Sequence, residues 1–183
     1  MYGLVNQGIR EFVTRNFGIK DWEDVCRRAG LTERDFEGML TYPDNVTYDL
    51  VGAISDKYAM SSAEVLHVFG DFWVDFSKNT EIGALLRFGG ETLIDRLDTL
   101  NEMHARVKMG MPHLSPPVFE FEEEAPGVYK LHYASEREGL EYMVIGLVEG
   151  LGRETGQPVT ITQDPQPAYE GLRASFTLRL QQA

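Results

Sequence analysis

The residues best suited to bind a ligand are Tyr133, Ser135 and Arg137, which stand at alternate positions of one short segment. In an extended strand, alternate side chains leave the same face about 7 Å apart. A phenol, a hydroxyl and a guanidinium are three hydrogen-bond donors, and the planar fork of arginine suits a carboxylate. The spacing therefore predicts a site for a ligand that carries two carboxylates.

A second candidate is His104, which shares a helical face with Leu97, Leu100 and Val107. A histidine in such an apolar stripe is usually a packed core residue, but it can also bind a metal. A metal-binding histidine combined with donors for two carboxylates is what a protein needs to hold haem through its iron and its propionates. Spacing alone leaves both interpretations of His104 open, and His67, His113 and His132 are weaker candidates.

The elements that must position these residues change character near residue 110. Before it, apolar residues recur at three- and four-residue steps and predict helices that end near Gly18 and Gly30, helices over 47–58, 61–76 and 92–108, and a short turn within 83–90. A Thr32-x-x-Asp35 spacing resembles a capping box and predicts a further helix start.

Beyond residue 110, apolar and polar residues alternate as in strands over 118–121, 128–133, 159–162 and 174–180, with one helix over 142–155. The predicted fold class is α+β: a helical N-terminal half, then a four-stranded antiparallel sheet with an inserted helix.

Composition excludes several classes of function. The net charge of −12 argues against nucleic-acid binding, because phosphates need a basic face. No apolar run approaches the roughly 20 residues of a membrane span, and no secretory signal is recognisable. Cys26 is the only cysteine, so no internal disulfide can form, which fits a reducing cytosol. We expect a cytoplasmic protein without nucleic-acid or membrane partners.

Several segments, in order, resemble the haem nitric oxide/oxygen binding (H-NOX) domains, the bacterial relatives of the sensor domain of soluble guanylate cyclase. Tyr-x-Ser-x-Arg follows a Leu-x-x-x-His-Ala-x-Val helix, and further matching blocks are residues 1–6, 46–53, 69–74, 115–117 and 146–152. The resemblance implies one domain over 1–183, with a helical distal part (1–65) and a proximal part (66–183), and haem b buried between the halves.

The same resemblance assigns roles to individual residues. It implies that His104 is the axial ligand of the iron, that Tyr133, Ser135 and Arg137 hold the propionates, and that Pro117 presses on the haem. It also implies a distal wall that would be formed by Val5, Ile9, Trp73, Met143 and Leu147.

The residue at the distal position decides which gas is bound. By resemblance, oxygen binders carry a tyrosine there and members selective for nitric oxide carry an apolar residue. Counting forward from Arg137 places Tyr142 at that position, whereas counting back from Gly146-Leu147 places Met143 there. We favour Met143, because it shares a helical face with Leu147 at four-residue spacing.

The expected function is therefore a gas sensor that binds nitric oxide at a five-coordinate ferrous haem, with carbon monoxide and oxygen as further possible ligands. The resemblance implies a separate signalling partner, either a histidine kinase or a diguanylate cyclase or phosphodiesterase, and release of the His104 helix as the signal. The alternatives are an oxygen sensor or carrier that uses Tyr142, and a haem-free interaction module. An enzyme is not expected, because no distal His/Arg pair is recognisable that could polarise a peroxide.

Overall fold

The structure is a computed structural model that describes residues 1–78, 80 and 89–181. The chain forms two compact units, Met1–Phe69 and Gly70–Ala183. The single-domain assignment and its division after residue 65 stay predictions. Residues 83–88 of the predicted short turn lie outside the described residues.

The first unit is helical, with α1 (Gly3–Phe17), α2 (Ile19–Arg28), α3 (Asp44–Tyr58) and the beginning of α4 (Ser62–Ser77). Gly18 separates α1 from α2 at φ 98°, a conformation that favours glycine. Both α2 and α3 pack on α1. Their apolar faces form a core whose fully buried members include Ile9, Val13, Trp22, Val25, Leu50 and Ile54.

Lys57 is the main ionic link between α2 and α3. Its Nζ donates to a carboxylate oxygen of Asp21 at 2.6 Å and to one of Asp24 at 2.8 Å. Hydrogen bonds from Lys57 and Arg28 lower the pKa of Asp24 to about 2. Asp24 therefore stays ionised at any pH near neutrality.

The capping box expected at Thr32 and Asp35 is wrong, because no helix begins between residues 31 and 42. This segment instead returns to the N-terminus. The backbone N–H of Gly3 donates to the Leu40 carbonyl oxygen at 2.8 Å, and Tyr2 forms an antiparallel bridge with Thr41. Backbone pairing with Tyr2 and Gly3 therefore fixes this stretch in a non-helical conformation.

The second unit begins within α4 and contains α5 (Leu93–Asp98), α6 (Leu100–Gly110), α7 (Glu141–Glu154) and four strands. The strands are β1 (Val118–Ala125), β2 (Val128–Ala134), β3 (Val159–Gln163) and β4 (Ala174–Leu180). They form one antiparallel sheet in the order β1-β2-β4-β3. The α+β fold with a helix inserted between β2 and β3 is confirmed.

The expected continuous helix over 92–108 is interrupted at Thr99, which separates α5 from α6 with φ −94° and ψ 5°. The Thr99 hydroxyl donates to the Asp95 carbonyl oxygen at 2.8 Å and lies 3.1 Å from that of Gly89. A threonine side chain that bonds to backbone carbonyls competes with the regular helix. The helix that carries His104 is therefore the shorter α6.

Close packing of α4 against α7 depends on two glycines. A Cβ on Gly70 would collide with the Met143 carbonyl oxygen and lie 3.0 Å from the Leu147 nitrogen. A Cβ on Gly150 would lie 2.9 Å from the side chain of Val74. The two backbones can approach only because these side chains are missing. Among the described helices, none has the length and apolarity needed to cross a membrane.

Candidate functional site

His104 lies in the middle of α6, half-buried, with its ring stacked on that of Phe119 at a centroid distance of 6.1 Å. Desolvation lowers the pKa of His104 to about 4, although the nearby Pro117 carbonyl acts in the opposite direction. The imidazole is therefore neutral near pH 7, the form that binds metals. Its Nδ1 is buried without a hydrogen bond of good geometry.

Asn101 attaches α6 to the sheet one helical turn before His104. Its Nδ2 donates to the Phe119 carbonyl oxygen at 2.6 Å, and its Oδ1 accepts from the Phe119 N–H at 3.0 Å. Sequence reasoning did not single out either residue. Their link joins two successive elements, α6 and β1, and an Asn on a helix surface gives no signal for it.

Phe119 also connects His104 with Tyr133. Phe119 in β1 is the register partner of Tyr133 in β2, and their ring centroids are 5.5 Å apart. The exposed fraction of Tyr133 is only 3%. The structure therefore brings the candidate metal ligand and the first candidate carboxylate donor to the same aromatic ring.

Ser135 and Arg137 do not continue the strand as their spacing suggested, because β2 ends at Ala134 and the following residues bend. The Ser135 Oγ accepts from the Arg137 backbone N–H at 3.1 Å, which closes a short turn. Strand geometry therefore does not place Tyr133, Ser135 and Arg137 on one face, contrary to what their spacing predicts. Local hydrogen bonds set the positions of Ser135 and Arg137 instead.

The loop between α6 and β1 contacts both parts of the candidate site. Arg137 donates from Nη1 to the Ser115 carbonyl oxygen at 2.8 Å. Two residues later, Pro117 is half-buried, and its carbonyl group partly counteracts the lowering of the His104 pKa. This loop therefore connects the residue proposed to bind the metal with the guanidinium proposed to bind a carboxylate.

The residues expected on the distal wall are divided between the two units. Val5 is half-buried and Ile9 is fully buried on α1 of the first unit. In the second unit, Trp73 lies on α4 with its ring 5.5 Å from that of Phe76, while Met143 and Leu147 are half-buried on α7. Tyr142 has an exposed fraction of 38%. Their roles stay predictions.

His132 belongs to a polar cluster on the sheet that sequence reasoning did not find. It is buried, its Nδ1 lies 2.9 Å from the Ser175 Oγ, and its ring is 5.7 Å from that of Tyr169. Alternation along β2 places its side chain on the face opposite to Tyr133. Near His67, another of the weaker candidates, the Glu64 carboxylate accepts hydrogen bonds from the Ser61 backbone N–H and hydroxyl.

A single histidine can hold a metal only if the remaining ligands come from elsewhere. Within the described ranges, no group of three His, Cys, Asp or Glu residues could bind an ion by itself. The neutral, partly buried His104 fits a ligand of haem iron, because the porphyrin supplies the other ligands. Metal-bound histidines commonly donate their second N–H to a backbone carbonyl, and that of Pro117 is near.

Comparison with known proteins agrees with this fit. A model of the haem-NO-binding family, HNOB, matches residues 2–163. Soluble guanylate cyclase gcy-32 of Caenorhabditis elegans is 30% identical over 157 residues, which cover 84% of this chain and 23% of that protein. Soluble guanylate cyclase 89Db of Drosophila melanogaster is 22% identical, with coverage of 98% and 30%. The chain thus spans less than a third of the length of either relative.

Solved structures show the same fold. An H-NOX protein from S. oneidensis in the Fe(II)NO ligation state superposes with a TM-score of 0.87 over 100% of both chains, at 17% identity. An Fe(II) unliganded H-NOX protein from K. algicida gives a TM-score of 0.85 over 100% of this chain and 98% of that one, at 18% identity.

Proposed function

Because the chain belongs to the haem-NO-binding family, whose members bind haem and sense gases, we propose that it binds nitric oxide at a haem b held by His104. When bound, haem would supply an iron that can take up a gas as a further ligand, and His104 would hold that iron. The chain would supply the histidine that binds the iron, the hydrogen-bond donors for the propionate carboxylates, and the pocket walls that select the gas.

The observation that carries the proposal is the environment of His104. Burial holds its pKa near 4, so the imidazole is available to a metal at neutral pH. The stack on Phe119 and the Asn101 bonds fix α6 against β1, which orients the ring. With Nδ1 buried, Nε2 is the nitrogen that would bind the iron.

The propionates of haem would be held by Tyr133, Ser135 and Arg137. Tyr133 contacts the same Phe119 ring as His104, which supports a common ligand for the two residues. Arg137 is the strongest of the three donors, because a hydrogen bond from an ionised group contributes roughly 1.5–3 kcal/mol. Its Nη1 donates to the Ser115 carbonyl oxygen at 2.8 Å, and a guanidinium carries five N–H donors in a planar fork that matches a carboxylate.

Selectivity for nitric oxide over oxygen would follow from an apolar distal wall. Met143 and Leu147 share a face of α7 and carry no N–H or O–H donor. Oxygen binding depends on such a donor far more than nitric oxide binding does. Loss of one hydrogen bond of about 1.5–3 kcal/mol corresponds to a roughly ten- to hundredfold weaker affinity.

The signal would leave the site through α6. His104 links this helix to the cofactor, whereas Asn101 links its first turn to β1. Release of His104 would free the later turns of α6 and leave the first turn attached. The bound gas would bias the equilibrium between these two positions of the helix. A separate histidine kinase, or a diguanylate cyclase or phosphodiesterase, would respond to the change.

Absorption spectra test the proposal. We would record the reduced protein without gas, in air, and with nitric oxide. A five-coordinate ferrous spectrum that is unchanged by air and altered by nitric oxide is the expected result. A stable oxygen complex in air would contradict the selectivity and favour an oxygen sensor or carrier that uses Tyr142. A protein that takes up no haem would overturn the proposal as a whole.

A further inference from the structure

Arg173, which directly precedes β4, is attached to the segment that carries Tyr133, Ser135 and Arg137. Its backbone N–H donates to the Tyr133 carbonyl oxygen at 2.8 Å, just beyond the last register pair of β2 with β4. Its side-chain Nε donates to the Ser135 carbonyl oxygen at 3.0 Å. One residue therefore binds two alternate carbonyl groups of the segment.

The second arm of the same guanidinium extends further along the segment. Its Nη1 lies 2.9 Å from a carboxylate oxygen of Glu138. The exposed fractions of the Arg173 and Glu138 side chains are 37% and 80%, so solvent screens this ion pair and it contributes little. The bond to the Ser135 carbonyl is also exposed, but it holds the backbone of the segment directly, and the two contacts lie on either side of Arg137.

The segment needs such a constraint because no strand register determines its conformation. Strand β2 ends at Ala134, and α7 begins only at Glu141. Gly139 adopts φ 78°, so the chain bends sharply between these two elements. A backbone without ladder hydrogen bonds keeps more conformational freedom unless its carbonyls find other partners. Arg173 supplies that partner to Ser135.

Arg173 is itself held by an ordered connection between β3 and β4. The Asp164 N–H donates to the Ser175 carbonyl oxygen at 2.8 Å, and the Ala168 N–H donates to the Ser175 Oγ at 2.9 Å. The Asp164 carboxylate also accepts from the Thr177 hydroxyl at 2.7 Å. These bonds tie the first part of the connection to the beginning of β4, which directly follows Arg173.

We propose that Arg173 is a positioning residue of the haem-carboxylate site. It fixes the backbone that carries Ser135 and Arg137, so that their side chains are held ready for the two carboxylates of haem. It acts through the backbone of this segment and not on the cofactor itself. The inference rests on the proposed function and extends it to a residue that lies outside the Tyr-x-Ser-x-Arg motif.

The test compares four variants of the full chain: Arg173→Ala, Arg173→Gln, Glu138→Gln and Arg179→Ala. Arg179 is an exposed arginine of β4, the strand that follows Arg173, and serves as the matched control. Glutamine keeps an N–H donor without the charge, and Glu138→Gln removes the negative charge that pairs with Arg173. For each variant we would measure the rate of haem transfer to apomyoglobin, and the amide hydrogen exchange of residues 135–138 in the haem-free protein.

Arg173→Ala should lose haem roughly three- to tenfold faster than the wild type, the effect expected from one lost hydrogen bond. It should also exchange the Arg137 amide faster. Arg173→Gln should recover part of both effects, and the other two variants should stay within about twofold of the wild type.

Equal haem transfer and equal amide exchange in Arg173→Ala and Arg179→Ala would overturn the inference, even if Arg173→Ala unfolded at a lower temperature. Failure of the wild type to take up haem would instead overturn the proposed function. The exchange measurement on the haem-free protein would still show whether Arg173 orders the segment, so the two failures are distinguishable.

Discussion

The side-chain amide of Asn101 binds both polar backbone groups of Phe119, the N–H at 3.0 Å and the carbonyl oxygen at 2.6 Å. It thus replaces a neighbouring strand at this position of β1, which forms an edge of the sheet. Since Phe119 stacks on His104, the amide fixes the distance between the helix backbone and the ring that supports the histidine.

We predict that Asn101→Ala destabilises the haem-free protein by about 1–2 kcal/mol, because two partly buried hydrogen bonds are lost. Asn101→Asp should be intermediate, since it keeps the acceptor for the Phe119 N–H and loses the donor to the carbonyl. Urea unfolding measures both effects. Glu102→Ala is the control, because its only described ion pair is an exposed one with Arg106 at 3.8 Å. Equal stability of Asn101→Ala and this control would show that the link is unimportant.

Haem retention should depend more on Arg137 than on Ser135. Arg137→Ala removes an ionised donor, and we expect haem loss to accelerate roughly ten- to a hundredfold. Ser135→Ala removes a neutral hydroxyl, which already accepts from the Arg137 backbone, and should have a smaller effect. Haem transfer to apomyoglobin gives both rates. Indistinguishable rates for the two variants would be evidence against a dominant role of the guanidinium.

The choice between Met143 and Tyr142 predicts opposite outcomes for two substitutions. Met143→Tyr should increase oxygen affinity about ten- to a hundredfold by adding a distal donor, whereas Tyr142→Phe should change it little. Oxygen titration of the reduced protein measures both. Leu147→Phe keeps this face of α7 apolar and serves as the control for a change of side-chain size. A loss of oxygen binding in Tyr142→Phe would instead place Tyr142 in the distal wall.

Acid should weaken the first unit through Asp24. Its pKa is about 2 in the folded chain, because Lys57 and Arg28 hydrogen-bond to the carboxylate, against 3.8 for an ordinary Asp. The interaction therefore stabilises the fold fully above about pH 4, and this contribution is lost as the pH falls towards about 2.

Thermal unfolding of the haem-free protein between about pH 5 and pH 2 checks this expectation. The melting temperature of the wild type should fall more steeply than that of Asp24→Asn. Asp56→Asn is the control, because Asp56 is exposed and makes no ion pair within the described residues. Parallel curves for the wild type and Asp24→Asn would refute the role of Asp24.

The helices and strands were predictable from the sequence because hydrophobic periodicity and helix-capping residues are local features of the chain. The alternation in β1 to β4 and the helical stripes placed nearly all element types correctly. The helix expected from residue 61 is present as α4, and Ser61 and Glu64 form a capping box at its beginning. Yet Thr32 and Asp35, with similar spacing, begin no helix, whereas Thr92 and Asp95 form a capping box that was not singled out. Spacing alone does not determine whether the following residues are held as a helix.

The candidate site was predictable only in part. Residue types indicated His104, Tyr133, Ser135 and Arg137, but their spatial relation depends on contacts distant in sequence. Phe119 reaches His104 and Tyr133 only because β1 pairs with β2 and packs on α6. The break at Thr99 depends likewise on a bond to Gly89, which no periodicity could reveal.

The irregular stretch between Ala134 and Glu141 has a consequence for how homologous chains are aligned. Insertions or deletions there would shift neither the strand before it nor the helix after it, so lengths can drift during evolution. Equivalent residues of two homologous chains therefore cannot be matched by counting across this stretch, whereas they can be matched by counting within α7. Swapping this stretch with that of a relative of different length should therefore alter the positions of Ser135 and Arg137 and leave the side of α7 that carries Met143 and Leu147 as it was.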